Sequence, residues 1–535
     1  MKAPYSRTLF QLVCEQAAKA PGRTAVIAND QSISYAELEL RARRVAQGMR
    51  EAGVRRGDRV GLLADNRLEW LEVFFAAAAL GAIVVPFSTW STARELEFLL
   101  SDSQVRFLFA IAGFGERAFQ DDIAELRSKG AQRELETVVL LGATADHGFQ
   151  PYWRFRQAEA LPDLAPGEGA SATDTLVVLY TSGSSNRPKA VPLEHASSIE
   201  NGFNIGERQG LLPGDRVLIS IPLFWSYGAV NALPATISHG AALVLQGHFE
   251  AGAALDLIER HRCTSIYTLP AMTNALVGHP DFHPRRTATL RTGVTIGAPQ
   301  DIIKAAERLG ASQICNIYGA TENYGNCCVT PHHWPLDERA HCQGPPLPGV
   351  HVRICQASAD DERQRRDAGE GVGEIEVKGY LSKGYLGASA AFNATAFTPD
   401  GYFRTGDLGS LRQDGALQYA GRRSEMIKRA GINVSPAEVE DVLQQHPTVA
   451  LAGVTGLADR GRGEIIVAYV TPRPGCRIEL NDILAHCRTL LSRYKVPDRF
   501  HVCPSLPLTP TGKLLRSALK AMAAAREGGH DEVGA

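Results

Sequence analysis

Chemistry is first concentrated in one short stretch, Tyr180-Thr181-Ser182-Gly183-Ser184-Ser185-Asn186-Arg187-Pro188-Lys189. It offers a cluster of small hydroxyl side chains, a glycine that lets the backbone turn, and a closing lysine. Hydroxyls and backbone N–H groups in a tight turn form an anion-binding concavity, and a neighbouring cation adds charge. Polyphosphate suits such a turn. The competing reading is a polar surface loop between the apolar run 176–179, which reads as a buried strand, and a helix opening near Glu194. The P-loop pattern Gly-x-x-x-x-Gly-Lys-Ser/Thr does not occur.

Four further stretches follow strands or turns: Gly297-Ala298-Pro299, Asn316-Ile317-Tyr318-Gly319-Ala320-Thr321-Glu322, Tyr402-Phe403-Arg404-Thr405-Gly406-Asp407-Leu408 and Pro507-Leu508-Thr509-Pro510-Thr511-Gly512-Lys513. Each alone has a plain structural reading. Tyr318 can pack beside a turn, Asp407 can cap one, and Lys513 can be a solvated lysine. His332-His333 and the pair His279 and His283 lack a full metal-ligand set. Cys327-Cys328 reads as buried structural thiols.

The elements that must carry these residues alternate. Capping-box patterns, Ser34-x-x-Glu37 and Thr92-x-x-Glu95, open helices. Strands are expected at 59–63, 83–85, 105–111, 217–221, 242–245, 265–269 and 313–317. Strand–helix alternation predicts parallel sheet covered by helices, with ligands at the carboxyl ends of the strands. From Gly142 to Asp174 the composition suggests a weakly ordered connection, and 360–371 an exposed loop. From Gly373 the chain reads as β-rich, with a hairpin turn at Asp414-Gly415. Gly421-Arg422-Arg423-Ser424-Glu425 reads as an inter-domain joint, and Ser435-Pro436-Ala437-Glu438 starts a helix beyond it. The fold class is therefore α/β. A large N-terminal domain (1–421) of helix-covered sheets with a β-rich subdomain precedes a small, mobile α+β domain (422–535). The tail after Ala523 is expected to fray.

A chain of 535 residues exceeds one ordinary core, and its hydrophobic fraction of 44% can fill two. Fifty-six basic against 58 acidic residues leave a net charge of −2, which gives no pull toward nucleic acid or anionic lipid. The ten cysteines are scattered without C-x-x-C, as in a reduced, cytoplasmic protein. The N-terminus has no signal-peptide core, and the longest apolar run, 73–87, is broken by Gly81 and Pro86. No membrane span is expected. A homodimer is left open.

Taken together and in this order, the five motifs resemble the adenylate-forming superfamily of acyl-CoA synthetases, peptide-synthetase adenylation domains and luciferases. The resemblance runs from Ser34 to Lys513 and is nearest to the acyl-CoA synthetases. It implies an ATP-dependent acid–CoA ligase that makes an acyl-adenylate, releases pyrophosphate and transfers the acyl group to CoA. By the same resemblance, the loop Thr181, Ser182, Gly183, Ser184, Ser185 and Lys189 holds the outer phosphates of ATP. Gly297, Ala298 and Pro299 line the adenine site. Tyr318, followed by Gly319, stacks on the base, and Asn316 reads its edge. Thr321 bonds the α-phosphate and Glu322 holds Mg²⁺. Asp407 accepts from the ribose hydroxyls, with Arg422 beside it. Lys513, on the small domain, bridges substrate carboxylate and α-phosphate, then withdraws as that domain rotates and the segment 428–435 lines the path of CoA. With a short tail after Lys513, free CoA is the expected acceptor. A carrier-protein loader and a catalytically weakened nucleotide-binding homologue are the alternatives.

Four positions depart from the family pattern. Asn186 and Ala190 replace glycines, Ser424 stands where the hinge has Asp or Lys, and Trp225 replaces a histidine beside the acyl pocket. Trp225, Tyr227 and Tyr324 would form a bulky apolar wall, with Asn231 and Ile296 facing it. A medium-sized, mostly apolar carboxylic acid is the expected substrate.

Overall fold

The computed structural model describes residues 1–526 apart from 30, 131–133, 143–147, 166, 182–187, 356–370, 430–431, 460–462, 492–494 and 510–511. Four sheets organise it. In the seven-stranded sheet the order is Gln150–Pro151, Thr137–Leu141, Phe107–Ile111, Arg59–Leu63, Ile83–Phe87, Thr175–Thr181 and Lys189–Glu194. All neighbours run parallel except the last pair. The eight-stranded sheet has a parallel centre, Cys315–Tyr318, Thr292–Thr295, Ser265–Tyr267, Arg216–Ile219, Ala242–Leu245 and Thr24–Ala28. Antiparallel strands Cys328–Val329 and Gln31–Ser34 close its two edges.

The expected helix starts form for the expected reasons, with one half missing in places. Thr92 and Glu95 make both bonds of a capping box at the helix Ala93–Ser103. At Tyr35–Glu51 Ser34 accepts from Glu37 N, while the Glu37 carboxylate pairs with Arg41 instead. The helix Leu68–Leu80 is buried along its length apart from Glu69, with the carboxylate of Glu72 held inside by the Tyr152 hydroxyl, and Gly81 ends it in the left-handed conformation at φ 70°. The run 73–87 is thus a buried helix followed by a strand. No helix among the described residues is long and apolar enough to cross a membrane.

Several expectations need correction. The serine-rich loop joins two antiparallel strands, with Thr181 opposite Lys189, so it is a hairpin before the helix His195–Gln209. The connection 142–174 contains a short strand, Gln150–Pro151, and a helical turn, Trp153–Arg156. The final helix runs to Arg526, and the rest of the tail expected to fray lies outside the described residues. The loop expected at 360–371 lies almost wholly outside the described residues.

The β-rich segment is a four-stranded antiparallel sheet, His351–Cys355, Gly373–Lys378, Phe403–Leu411 and Leu417–Arg422, with the last two joined at Asp414-Gly415. The small C-terminal part has its own sheet, in which Val449–Asp459 and Gly463–Pro472 form a long hairpin. One apolar cluster spans residues from Leu9 to Leu417, whereas the clusters from Ile427 onward are separate.

Candidate active site

Several residues singled out by type follow parallel strands: Trp225 and Tyr227 come after Arg216–Ile219, Gly297, Ala298 and Pro299 after Thr292–Thr295, and Thr321 and Glu322 after Cys315–Tyr318. Strand Cys315–Tyr318 ends in Gly319, where an added Cβ would come within 2.3 Å of the Gly325 carbonyl oxygen. Only glycine fits there, and it lets the chain fold back into the tight turn Thr321–Asn323. That turn is locked by Ala320 N donating to Asn323 Oδ1 at 2.7 Å. It presents Thr321, whose hydroxyl donates to Ser226 Oγ at 3.1 Å, and Glu322, whose carboxylate is 8% exposed.

Glu322 Oε1 accepts from the Tyr385 hydroxyl at 2.8 Å. The Lys189 ammonium stands 4.9 Å from the Tyr385 ring and 4.7 Å from the Phe392 ring. A chain Lys189–Tyr385–Glu322 therefore ties the end of the serine-rich hairpin to the candidate metal carboxylate. No cation pairs with Glu322 among the described residues, which hold no cluster of three metal-ligating side chains. A single buried carboxylate with a neutral donor fits Mg²⁺, which takes one or two carboxylates and completes its shell with phosphate and water. Ser182, Gly183, Ser184 and Ser185 lie outside the described residues.

A second group gathers around Asp407 on the strand Phe403–Leu411. The Tyr318 hydroxyl donates to Asp407 Oδ2 at 2.8 Å, and Arg422 Nε lies 3.0 Å from Oδ1. Burial pushes the Asp407 carboxyl above the ordinary carboxylate range, opposed by the Arg422 charge and the Tyr318 bond. Tyr419 tilts over Tyr318 with centroids 5.7 Å apart and keeps an exposed face. The small domain delivers Lys513 to this group on a turn closed by three bonds. Thr509 N donates to Lys513 O at 2.7 Å, Gly512 N to Thr509 O at 2.8 Å and Lys513 N to Thr509 Oγ1 at 3.1 Å. Lys513 is exposed to solvent. Loss of water and the Arg422 guanidinium push its ammonium below the usual lysine range, while Asp407 and Glu425 pull the other way. The lobes touch at Gly512, where a Cβ would lie 2.4 Å from that of Ala271.

Gly297, Ala298 and Pro299 open the helix Pro299–Glu307. Ala298 N donates to Asp301 Oδ2 at 3.1 Å, and a Cβ on Gly297 would come 2.6 Å from the same carboxylate. Asn316 turns away from any ligand: its amide donates to Cys342 O at 3.0 Å and accepts from Ile317 N, with 1% exposure. Among the acyl-pocket candidates, Trp225, Tyr227 and Ile296 are partly buried and keep open surface. Tyr227 begins a π-helical turn, Tyr227–Ala232, and donates to Val294 O at 3.0 Å. Tyr324 and Asn231 have no exposed surface. The Tyr324 hydroxyl accepts from Glu194 N, and Asn231 Oδ1 accepts from Tyr267, so both are packing residues rather than pocket walls.

Sequence reasoning passed over Ser226, Tyr385, Phe392, Tyr419 and Trp90. Trp90 meets Trp225 edge-on at 5.2 Å and Phe224 at 5.6 Å. The signal available was modest: Ser226 adjoins Trp225, and Tyr385 lies between Gly384 and Gly387.

Comparison with known proteins agrees with this geometry. The family model described as AMP-binding enzyme matches residues 13–386, and the AMP-binding enzyme C-terminal domain matches 438–513. A putative acyl-CoA synthetase, YngI of Bacillus subtilis (strain 168), is 31% identical and covers 96% of both chains. Feruloyl-CoA synthase of Amycolatopsis sp is 31% identical over 94% of this chain and 97% of its own. The crystal structure of the anthranilate CoA ligase AuaEII, in complex with anthranoyl-AMP, matches with a TM-score of 0.86 at 26% identity, over 99% of this chain and 100% of that one. The chain belongs to the AMP-binding enzyme family and, within it, is an ATP-dependent acid–CoA ligase.

Proposed function

We propose that this ligase activates a medium-sized, mostly apolar carboxylic acid as its acyl-adenylate, with Lys513 as the catalytic cation, and then passes the acyl group to the thiol of CoA. The observation that carries the reading is the contact of the lobes at Gly512 and Ala271, which brings Lys513 of the small lobe into the electrostatic reach of Asp407 of the large lobe and of Arg422 at the joint. An acid attacking a triphosphate joins two anions, so the enzyme's task is positioning and charge neutralisation rather than proton removal. The carboxylate is already ionised at neutral pH and needs no general base.

Each residue then has a part. Asp407, oriented by Tyr318 and Arg422, accepts from the ribose hydroxyls and fixes where the α-phosphate lies. Gly297, Ala298, Pro299 and the Tyr318 ring flank the base. Lys189 and the serine-rich hairpin hold the outer phosphates, and the Thr321 hydroxyl meets the α-phosphate. Glu322 would hold Mg²⁺, which would supply positive charge to the triphosphate. Lys513 meets the negative charge that gathers between acid and α-phosphate. Trp225, Tyr227 and Ile296 give the acid an apolar wall, and the arene acids named among the relatives, ferulate and anthranilate, are of the size it would take.

We place the two lobes at 1–421 and 422–535, with the small one mobile. In support, the apolar clusters do not cross this boundary. We also place the enzyme in the cytoplasm, on the strength of ten free thiols. Lys513→Ala should lower acid-dependent pyrophosphate release by two to three orders of magnitude, about 3–4 kcal/mol of barrier, the scale of losing a transition-state charge contact. Thioester formation from supplied acyl-adenylate should persist. Pyrophosphate release at the wild-type rate would refute the assignment.

A further inference from the structure

We infer that Trp90, which no motif marks, is a substrate-recognition residue of the acyl pocket and biases the enzyme toward acids with an aromatic body. The inference rests on the pocket assigned above to Trp225 and deepens it.

Trp90 and Trp225 come from different sheets. Trp90 sits between the strand Ile83–Phe87 of the seven-stranded sheet and the helix Ala93–Ser103. Trp225 follows the strand Arg216–Ile219 of the eight-stranded sheet. Both loops leave carboxyl ends of parallel strands, where ligands of such sheets collect. The loop carrying Trp90 is fastened: Trp90 N donates to Ser88 Oγ at 3.1 Å, and Arg117 Nη1 donates to Ser91 O at 2.9 Å. Trp225 adjoins Ser226, whose hydroxyl receives that of Thr321, so the aromatic group begins one residue from the reacting centre.

The rings of Trp90, Phe224 and Trp225 stand mutually edge-on, with interplanar angles of 90°, 80° and 89°. Edge-to-face contact satisfies the edge of one ring against the face of another and leaves further faces for a guest. Phe224 is buried, Trp225 is half-buried and Trp90 is 42% exposed, so the group grades from core to solvent. An indole left that exposed, on a fastened loop, contributes little to the core and forms the outer part of the wall. A rigid planar acid gains ring contacts there without the rotamer entropy that an alkyl chain loses on immobilisation.

The test uses the full-length enzyme with ATP, Mg²⁺ and CoA, and three probe acids: 3-phenylpropanoate, 3-cyclohexylpropanoate and octanoate. In the wild type, kcat/KM for CoA-dependent AMP release should be highest for the phenyl acid. Trp90→Leu should lower the phenyl value about tenfold, the worth of one or two aromatic contacts, through KM rather than kcat. Octanoate should change less than about twofold, and Trp90→Phe should restore most of the phenyl preference. Octanoate preferred by the wild type, or an equal fall for all three acids in Trp90→Leu, overturns the inference while leaving the ligase reading intact. If Trp90→Leu does not fold, Trp90→Phe and the wild-type ranking still decide. No AMP release from any probe acid overturns both the inference and the pocket beneath it.

Discussion

Asp407 and Lys513 carry opposite charges at one site, and their surroundings move both titrations toward neutrality. Burial raises Asp407, so in the free enzyme its carboxylate takes a proton at a pH where an ordinary aspartate is still ionised. A protonated Asp407 cannot accept two ribose hydroxyl bonds, and ATP capture weakens on the acid side. Desolvation lowers Lys513, so its ammonium is lost below the usual lysine range as pH rises. The profile of kcat/KM for ATP should therefore be a bell narrower on both limbs than free side chains would give. Once a triphosphate is bound its charge favours the ammonium again, so the alkaline limb in kcat should lie higher. Asp407→Asn should lower ATP affinity and flatten the acid limb. An unchanged acid limb in that variant would remove Asp407 from ribose binding. At this scale the sequence was legible for which motif residues come together, since Tyr318 donates to Asp407 and Lys513 stands within electrostatic reach of both Asp407 and Arg422. It was not legible for direction: Asn316 and Tyr324 stand in or beside a motif, yet a carbonyl of Cys342 and an amide of Glu194 claim their polar atoms.

Elements explain which features could be read in advance. Long apolar runs and capping residues announced the strands Arg59–Leu63, Ile83–Phe87 and Phe107–Ile111 and the helices Tyr35–Glu51 and Ala93–Ser103, while helices such as Ala251–His261 and Pro299–Glu307 were not announced. The strand Lys189–Glu194 did not announce itself, because it starts and ends with charge and contains Pro192. It lies at an edge of its sheet, the position where a proline does not break a ladder from both sides. Trp90 and Tyr385 lie in loops and Tyr419 in the strand Leu417–Arg422, and each meets its partner, Trp225, Glu322 or Tyr318, only through the tertiary fold. The turn Thr321–Asn323 carries two of the residues proposed to meet the triphosphate, Thr321 and Glu322, and Gly319 is its condition. Gly319→Ala puts a methyl where the Gly325 carbonyl stands. The turn must then shift by an ångström or so, taking Thr321 and Glu322 with it. A displacement of that size typically costs about 100-fold in rate. Adenylation measured by ATP–pyrophosphate exchange should fall by about that factor in this variant, while circular dichroism reports an intact fold. Retention of exchange would mean that the turn does not position the reacting groups.

At the scale of the molecule, two ion pairs bracket the joint between the lobes. Arg423 reaches Glu374 of the large lobe at 3.4 Å, and Glu425 receives Arg516 of the small lobe at 3.0 Å. Arg516 is itself held in the small lobe by Glu440 and by the Val454 carbonyl. If the small lobe turns as proposed, Arg423 and Glu425 go with different bodies, and the bond rotations between adenylation and thioester formation should concentrate at Ser424. The turn Arg423–Glu425 is a 3₁₀ turn, whose φ range includes the value to which proline is locked. Ser424→Pro should accordingly keep the arrangement in which Lys513 faces Asp407 and obstruct the one that follows. Pyrophosphate release in a single turnover should stay near the wild-type rate, while CoA-dependent AMP release falls by roughly two orders of magnitude because the joint can no longer absorb the dihedral change. Acyl-adenylate should accumulate on the enzyme. If thioester formation proceeds normally in that variant, the rotation occurs elsewhere in the chain, and the two ion pairs are ordinary surface contacts with no bearing on the cycle.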